Sequence, residues 1–138
     1  MGIGHIALPV GDYYVEMRDF YKAILAPLGY ELKFEAQGNN SSTFCGFGPK
    51  DGHGLDFWLG GGGEGSLSKY DGKLENRTAP VHIAWDGKSR EHVDEWHEVA
   101  IKAGAVDNGK PGERDYRPGY YAAFVLDPLG NNIEVLHM

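Results

Sequence analysis

Apolar and polar residues alternate along residues 3–10. Ile6, Leu8 and Val10 fall on one side and His5, Ala7 and Pro9 on the other, which predicts a strand with one apolar face. From residue 13 the period changes. Met17, Phe20, Tyr21, Ile24, Leu25 and Leu28 recur at the spacing of one helical stripe, so residues 13–28 are expected to form an amphipathic helix. Asp12 is placed to cap its start and Gly29 its end, and Pro27 loosens the last turn. Residues 30–36, 42–48 and 55–59 read as three further strands, and the Gly-rich, polar stretch 61–79 reads as a linker.

The second half runs in the same order. Val81-His82-Ile83-Ala84 echoes Gly4-His5-Ile6-Ala7, with Ile83 and Trp85 on one side of a strand and His82 and Ala84 on the other. Ser89 is the expected cap of a second helix, whose stripe is Val93, Trp96, Ala100 and Ala103 and whose stop is Gly104. Residues 105–118, broken by Gly and Pro, are expected to hold at most one short strand. Tyr120 to Leu126 reads as a strand, Asp127 to Asn131 as a turn and Asn132 to Leu136 as the last strand.

Each half therefore reads βαβββ, a sheet with one face covered by its helix and the other left open. The expected architecture is α+β, one domain over residues 1–138 made of module 1–60 and module 80–138 joined by linker 61–79. Two such modules can curl their open faces into a cup-shaped mixed sheet around a cavity.

The repeat also carries chemistry. The last strand of each half holds an acid, Asp56 in Leu55-Asp56-Phe57 and Glu134 in Ile133-Glu134-Val135. His5 precedes Asp56 by 51 positions and His82 precedes Glu134 by 52. Two imidazoles and two carboxylates from a duplicated unit form a donor set suited to a divalent cation. The small Ala7 and Ala84, two positions beyond each His, leave room for an approaching group.

Composition narrows the field. A net charge of −7, from 13 basic and 20 acidic residues, argues against nucleic acid as a partner and against anionic membrane surfaces. No apolar run is long enough to span a bilayer. The N-terminal residues lack the pattern of a secretory leader, and Cys45 stands alone, so a cytoplasmic location is expected. The glycine run 60–65 lacks a following Lys-Ser or Lys-Thr and does not make a phosphate cradle. His92 and His97 are five positions apart on a helix, which is not the spacing of two ligands on one face.

Several stretches point to a known family: His5-Ile6-Ala7-Leu8, Asp19-Phe20-Tyr21 with Leu28-Gly29-Tyr30, and above all Phe124-Val125-Leu126-Asp127-Pro128-Leu129-Gly130-Asn131-Asn132-Ile133-Glu134. Through them the whole chain resembles the vicinal-oxygen-chelate superfamily, which includes glyoxalase I, extradiol dioxygenases and the fosfomycin- and bleomycin-resistance proteins. The resemblance to glyoxalase I implies a metal held at His5, Asp56, His82 and Glu134, with Zn, Ni, Fe(II) or Mn as the ion. Asp56 stands where glyoxalase I has Glu and is one methylene shorter. No residues match those by which glyoxalase I grips glutathione. The implied activity is that of a metal-dependent lyase or isomerase on a small oxygen-rich molecule, with Glu134 or Asp56 as general base. One alternative is a non-haem iron extradiol-type dioxygenase using His5, His82 and Glu134. The other is a metal-free protein that binds a drug or metabolite in an aromatic cavity. Trp58 and Tyr121 are expected in the substrate pocket, and Arg114 and Arg117 read either as groups that meet an anionic substrate at its mouth or as solvated surface charges. The resemblance also implies a homodimer.

Overall fold

A computed structural model of the chain describes residues 3–37, 43–61 and 80–138. The chain divides into two compact units, Met1–Thr78 and Ala79–Met138. The expected linker, from residue 62 to residue 79, lies outside the described residues.

In the first unit β1 (Ile6–Pro9) leads through a single 3-10 turn (Gly11–Tyr13) into α1 (Tyr14–Leu25), and β2 (Tyr30–Gln37), β3 (Thr43–Pro49) and β4 (Phe57–Gly60) follow. The sheet order is β1-β4-β3-β2. β1 and β4 run parallel and the other pairs antiparallel. α1 buries Tyr14, Met17, Phe20, Tyr21, Ile24 and Leu25. Burying each such side chain is worth about 1.5–3 kcal/mol, which holds the helix on the sheet better than its own propensity would. Leu8, Cys45, Phe47, Phe57 and Leu59 supply the sheet's share of that core. Across it, Tyr21 meets Phe57 with ring centroids 4.7 Å apart.

Asp12 does not cap α1. It lies within the 3-10 turn, and the residue preceding the helix, Tyr13, makes no side-chain cap. The expected helix is also shorter than its apolar stripe. It ends at Leu25, ahead of Pro27, because the ring of a proline clashes with the preceding turn.

The second unit repeats the plan with β5 (His82–Asp86), α2 (Arg90–Lys102), β6 (Val106–Glu113), β7 (Tyr121–Leu126) and β8 (Asn132–His137), in the order β5-β8-β7-β6. Ser89 caps α2 as the sequence predicts, its hydroxyl accepting from the His92 N–H at 3.2 Å. Val93, Trp96 and Ala100 face Ala123, Val125, Ile133 and Val135 in a core with no exposure. Residues 105–118 hold more strand than expected. β6 is eight residues long, and it accommodates Pro111 because it is an edge strand whose register slips twice. The fold is thus α+β, two four-stranded mixed sheets each carrying one helix. No helix among the described residues is long and apolar enough to cross a membrane.

Candidate functional site

In each unit the face turned away from the helix is the one that carries unusual side chains. On β8 of the second unit, Ile133 and Val135 point to α2, so Asn132 and Glu134 point the other way. The turn before β8 fixes this register. Asp127 Oδ1 accepts from the Leu129 and Asn131 N–H groups, both at 2.9 Å, and the Asn131 amide returns a bond to Asp127 Oδ2. Asn131 Oδ1 in turn accepts from the N–H of Val81, tying the turn to the start of β5. His82 then lies opposite Asn132, and Ala84 opposite Glu134.

A chain of hydrogen bonds crosses this face. The Asn108 amide donates to Asn132 Oδ1 at 3.0 Å. The Asn132 amide lies 2.7 Å from His82 Nδ1 and donates to it. His82 Nε2 then carries the proton and donates to Glu134 Oε2 at 2.9 Å. The Tyr120 hydroxyl donates to the other oxygen, Oε1, at 2.7 Å. Glu134 is only 3% exposed, while the His82 side chain is 49% exposed. The imidazole therefore presents a wet edge held by a dry carboxylate. Burial, followed by the bond to Glu134, pushes the Tyr120 hydroxyl up to about 12. The His82 ring stacks on Phe124 with centroids 6.2 Å apart and planes inclined by 27°.

Tyr121 is placed differently from the pocket role expected of it. It shares a face with Ala123 and Val125, and its hydroxyl donates to Asp94 of α2 at 2.7 Å. That bond, with burial second, raises its pKa. The hydroxyl that reaches Glu134 belongs to Tyr120. Strand alternation carries this signal, since residues 121, 123 and 125 share a face and the latter two are apolar.

On the helix-free face of the first unit, Phe34, Phe44 and Trp58 gather. Their centroid separations are 5.7 Å (Phe34–Phe44), 5.8 Å (Phe34–Trp58) and 6.3 Å (Phe44–Trp58). Gly46 lies beneath the indole, and a Cβ there would stand 3.1 Å from its ring atoms. The Trp58 indole donates to the Leu55 carbonyl at 3.0 Å, which fixes the ring plane. Phe34, missed in the sequence, is 41% exposed. Its aromatic character and its place opposite Gly46 were the available signals.

The strand register corrects the expected pairing of acids. Ile6 lies opposite Phe57 in the first unit, and Ile83 opposite Ile133 in the second. Ala7 therefore faces Trp58 where Ala84 faces Glu134. Trp58, not Asp56, is the first-unit counterpart of Glu134, and Asp56 is the counterpart of Asn132. The Asp56 carboxylate accepts from the Tyr30 hydroxyl through Oδ2 at 2.8 Å. Its Oδ1 is buried and has no hydrogen-bond partner among the described residues. His5 is exposed.

A four-ligand divalent-metal site does not fit these residues. An indole occupies the position of the first-unit carboxylate, which leaves no fourth ligand there. Within either unit, among the described residues, no three His, Cys, Asp or Glu side chains are gathered.

The family model "Glyoxalase/Bleomycin resistance protein/Dioxygenase superfamily" matches residues 2–135. Among solved structures, a glyoxylase/bleomycin resistance protein/dioxygenase domain from Frankia sp. EAN1pec is similar, with a TM-score of 0.70 and 21% identity over 99% of this chain and 97% of that one. A family enzyme from Burkholderia phytofirmans PsJN gives 0.67 and 20%, covering 99% and 98% of the two chains. TnmS3, an antibiotic binding protein from Streptomyces sp. CB03234, gives 0.62 and 18%, covering 99% and 95%. At these identities the likeness is one of fold. No curated protein matches the chain.

Proposed function

Since the chain belongs to the glyoxalase/bleomycin resistance protein/dioxygenase superfamily, we propose that within it the protein binds a small molecule with a planar, apolar portion, and does so without a metal. The observation that carries this reading is the aromatic lining of the helix-free faces. Trp58 lies over Gly46 with Phe34 and Phe44 beside it, and Phe124 stacks with His82 beside Gly109. Aromatic side chains joined by a few fixed polar groups are the usual lining of a small-molecule site. On the second unit's face the polar groups beside Phe124 are His82, Glu134 and Tyr120, held by their mutual hydrogen bonds. The fold is also that of an antibiotic binding protein, TnmS3, so ligand binding of this kind lies within its range.

A second reading keeps a metal and is favoured by the His82–Glu134 contact at 2.9 Å, which brings two ligand types together on neighbouring strands. His82 and Glu134 would be among its ligands, with Asp56 outside the set. When bound, iron in such a set would supply oxygen activation and zinc or nickel Lewis acidity.

Isothermal titration with 2-naphthamide separates the two. The expected result is saturable binding that survives dialysis against EDTA and weakens at least tenfold in Phe124→Ala, about 1.4 kcal/mol. Binding lost with EDTA and restored by Fe(II), Zn or Ni would overturn the metal-free reading. The homodimer implied by the family resemblance belongs to the same proposal. Light scattering at micromolar concentration should give the mass of two chains, and a single-chain mass would reject it.

A further inference from the structure

The described arginines fall into two kinds. Arg18 pairs with Asp19 and Glu35, and Arg90 pairs with Glu113. Arg114 and Arg117 have no carboxylate partner among the described residues, in a chain whose acids outnumber its bases. Like Arg18 and Arg90, both lie against rings. The Arg117 guanidinium stands 5.8 Å from the Tyr120 ring centre and that of Arg114 stands 5.4 Å from Phe124.

Arg114 is the more constrained. It is half-buried and lies across the helix-free face of β6. A Cβ at Gly112 would come within 3.1 Å of its Nη1, and one at Gly109 within 3.4 Å of its Nη2. The glycines leave the channel in which the guanidinium lies flat. Two backbone carbonyls fix its orientation, Lys110 O accepting from Nη2 at 2.6 Å and Glu113 O from Nη1 at 3.2 Å. A guanidinium carries five N–H groups, so donors remain unused after those bonds. A cation held by neutral carbonyls and an aromatic face, with no carboxylate beside it among the described residues, leaves its remaining donors for an anionic ligand.

We infer that Arg114 is the anion-recognising residue of the ligand site, and that the ligand is a planar aromatic carboxylate. The guanidinium matches a carboxylate in a bidentate geometry, and the adjoining Phe124–His82 stack offers a surface for the ring that bears it. Specificity for the charged over the neutral ligand then resides in one side chain. This inference rests on the small-molecule-binding reading above and adds the ligand class.

The test compares 2-naphthoate with its neutral isostere 2-naphthamide by isothermal titration. The wild-type protein should bind the carboxylate at least tenfold more tightly than the amide. Arg114→Gln should abolish that preference, and a thermal midpoint and circular dichroism spectrum like those of the wild type show that the variant is folded. Arg114→Lys, which keeps the charge and loses the planar fork, should restore only part of the preference. Equal binding of the two probes by the wild type would overturn the inference and leave the binding reading standing. So would a preference that survives in Arg114→Gln. Failure of both probes to bind the wild type would overturn the two together.

Discussion

The two units share a topology and differ at matched positions on the face away from the helix. Where the second unit has Glu134, the first has Trp58. Where the second has Asn132, the first has Asp56. His82 is bonded through both ring nitrogens, whereas His5 lies exposed ahead of its strand. One face has become aromatic and the other a polar chain running from Asn108 to Tyr120. A duplicated scaffold leaves the buried helix-facing positions under the same packing demand in both copies. On the helix-facing side the residues differ but stay apolar, whereas on the opposite face they differ in chemical character.

The largest test of this contrast is the pair of acids. Glu134→Ala removes a buried carboxylate and strands both the Tyr120 hydroxyl and the His82 N–H, so it should cost about 3 kcal/mol of stability in urea unfolding. A loss below about 1 kcal/mol would mean that the polar chain does not hold the second face together. Tyr120→Phe removes one bond to that carboxylate and should cost about 1 kcal/mol near neutral pH. It should also change the alkaline limb. The folded-state pKa of Tyr120 is raised from 10.0 to about 12, so its contribution is intact below pH 10 and fades as pH rises through about 12. Stability of Tyr120→Phe should therefore fall less steeply across that window, and parallel curves for the two proteins would refute the coupling. Smallest is Asp56→Asn in the first unit. One of its oxygens is already without a partner among the described residues, and the amide can keep an acceptor for Tyr30, so stability should change by no more than about 0.5 kcal/mol. A loss as large as that of Glu134→Ala would erase the distinction between the two units.

Much of the fold could be read from the sequence because strand and helix periods are local. The stripes of α1 and α2, the Ser89 cap and the Asp127–Asn131 turn needed only neighbouring residues. The readings that failed depended on distant ones. Asp12 looked like a cap, but the chain enters α1 through a 3-10 turn. Residues 105–118 looked able to hold at most one short strand, yet an edge position and slipped register accommodate their Gly and Pro in one of eight residues. The near-equal spacing from His to acid suggested that Asp56 and Glu134 correspond. Strand pairing is offset by 51 positions in the first unit and 50 in the second, so the equivalent of Glu134 falls on Trp58. That offset is set by loop lengths, and spacing along the chain does not reveal it. Similarly, Tyr120 and Tyr121 are adjacent in sequence but serve opposite faces of the sheet.

The parallel pairing of first and last strands has a consequence for the order of events as the chain is made. Among the described residues of its sheet β5, which carries His82, pairs with β8 alone, and β8 is the last strand of its unit to emerge. Until then β5 has an unmet edge, and closure must bring together positions 50 residues apart. The Glu134 that anchors the imidazole arrives on the same strand that completes the sheet. In the second unit, therefore, the structure and its polar centre mature in one step, and no stage of synthesis offers a finished sheet awaiting its chemistry.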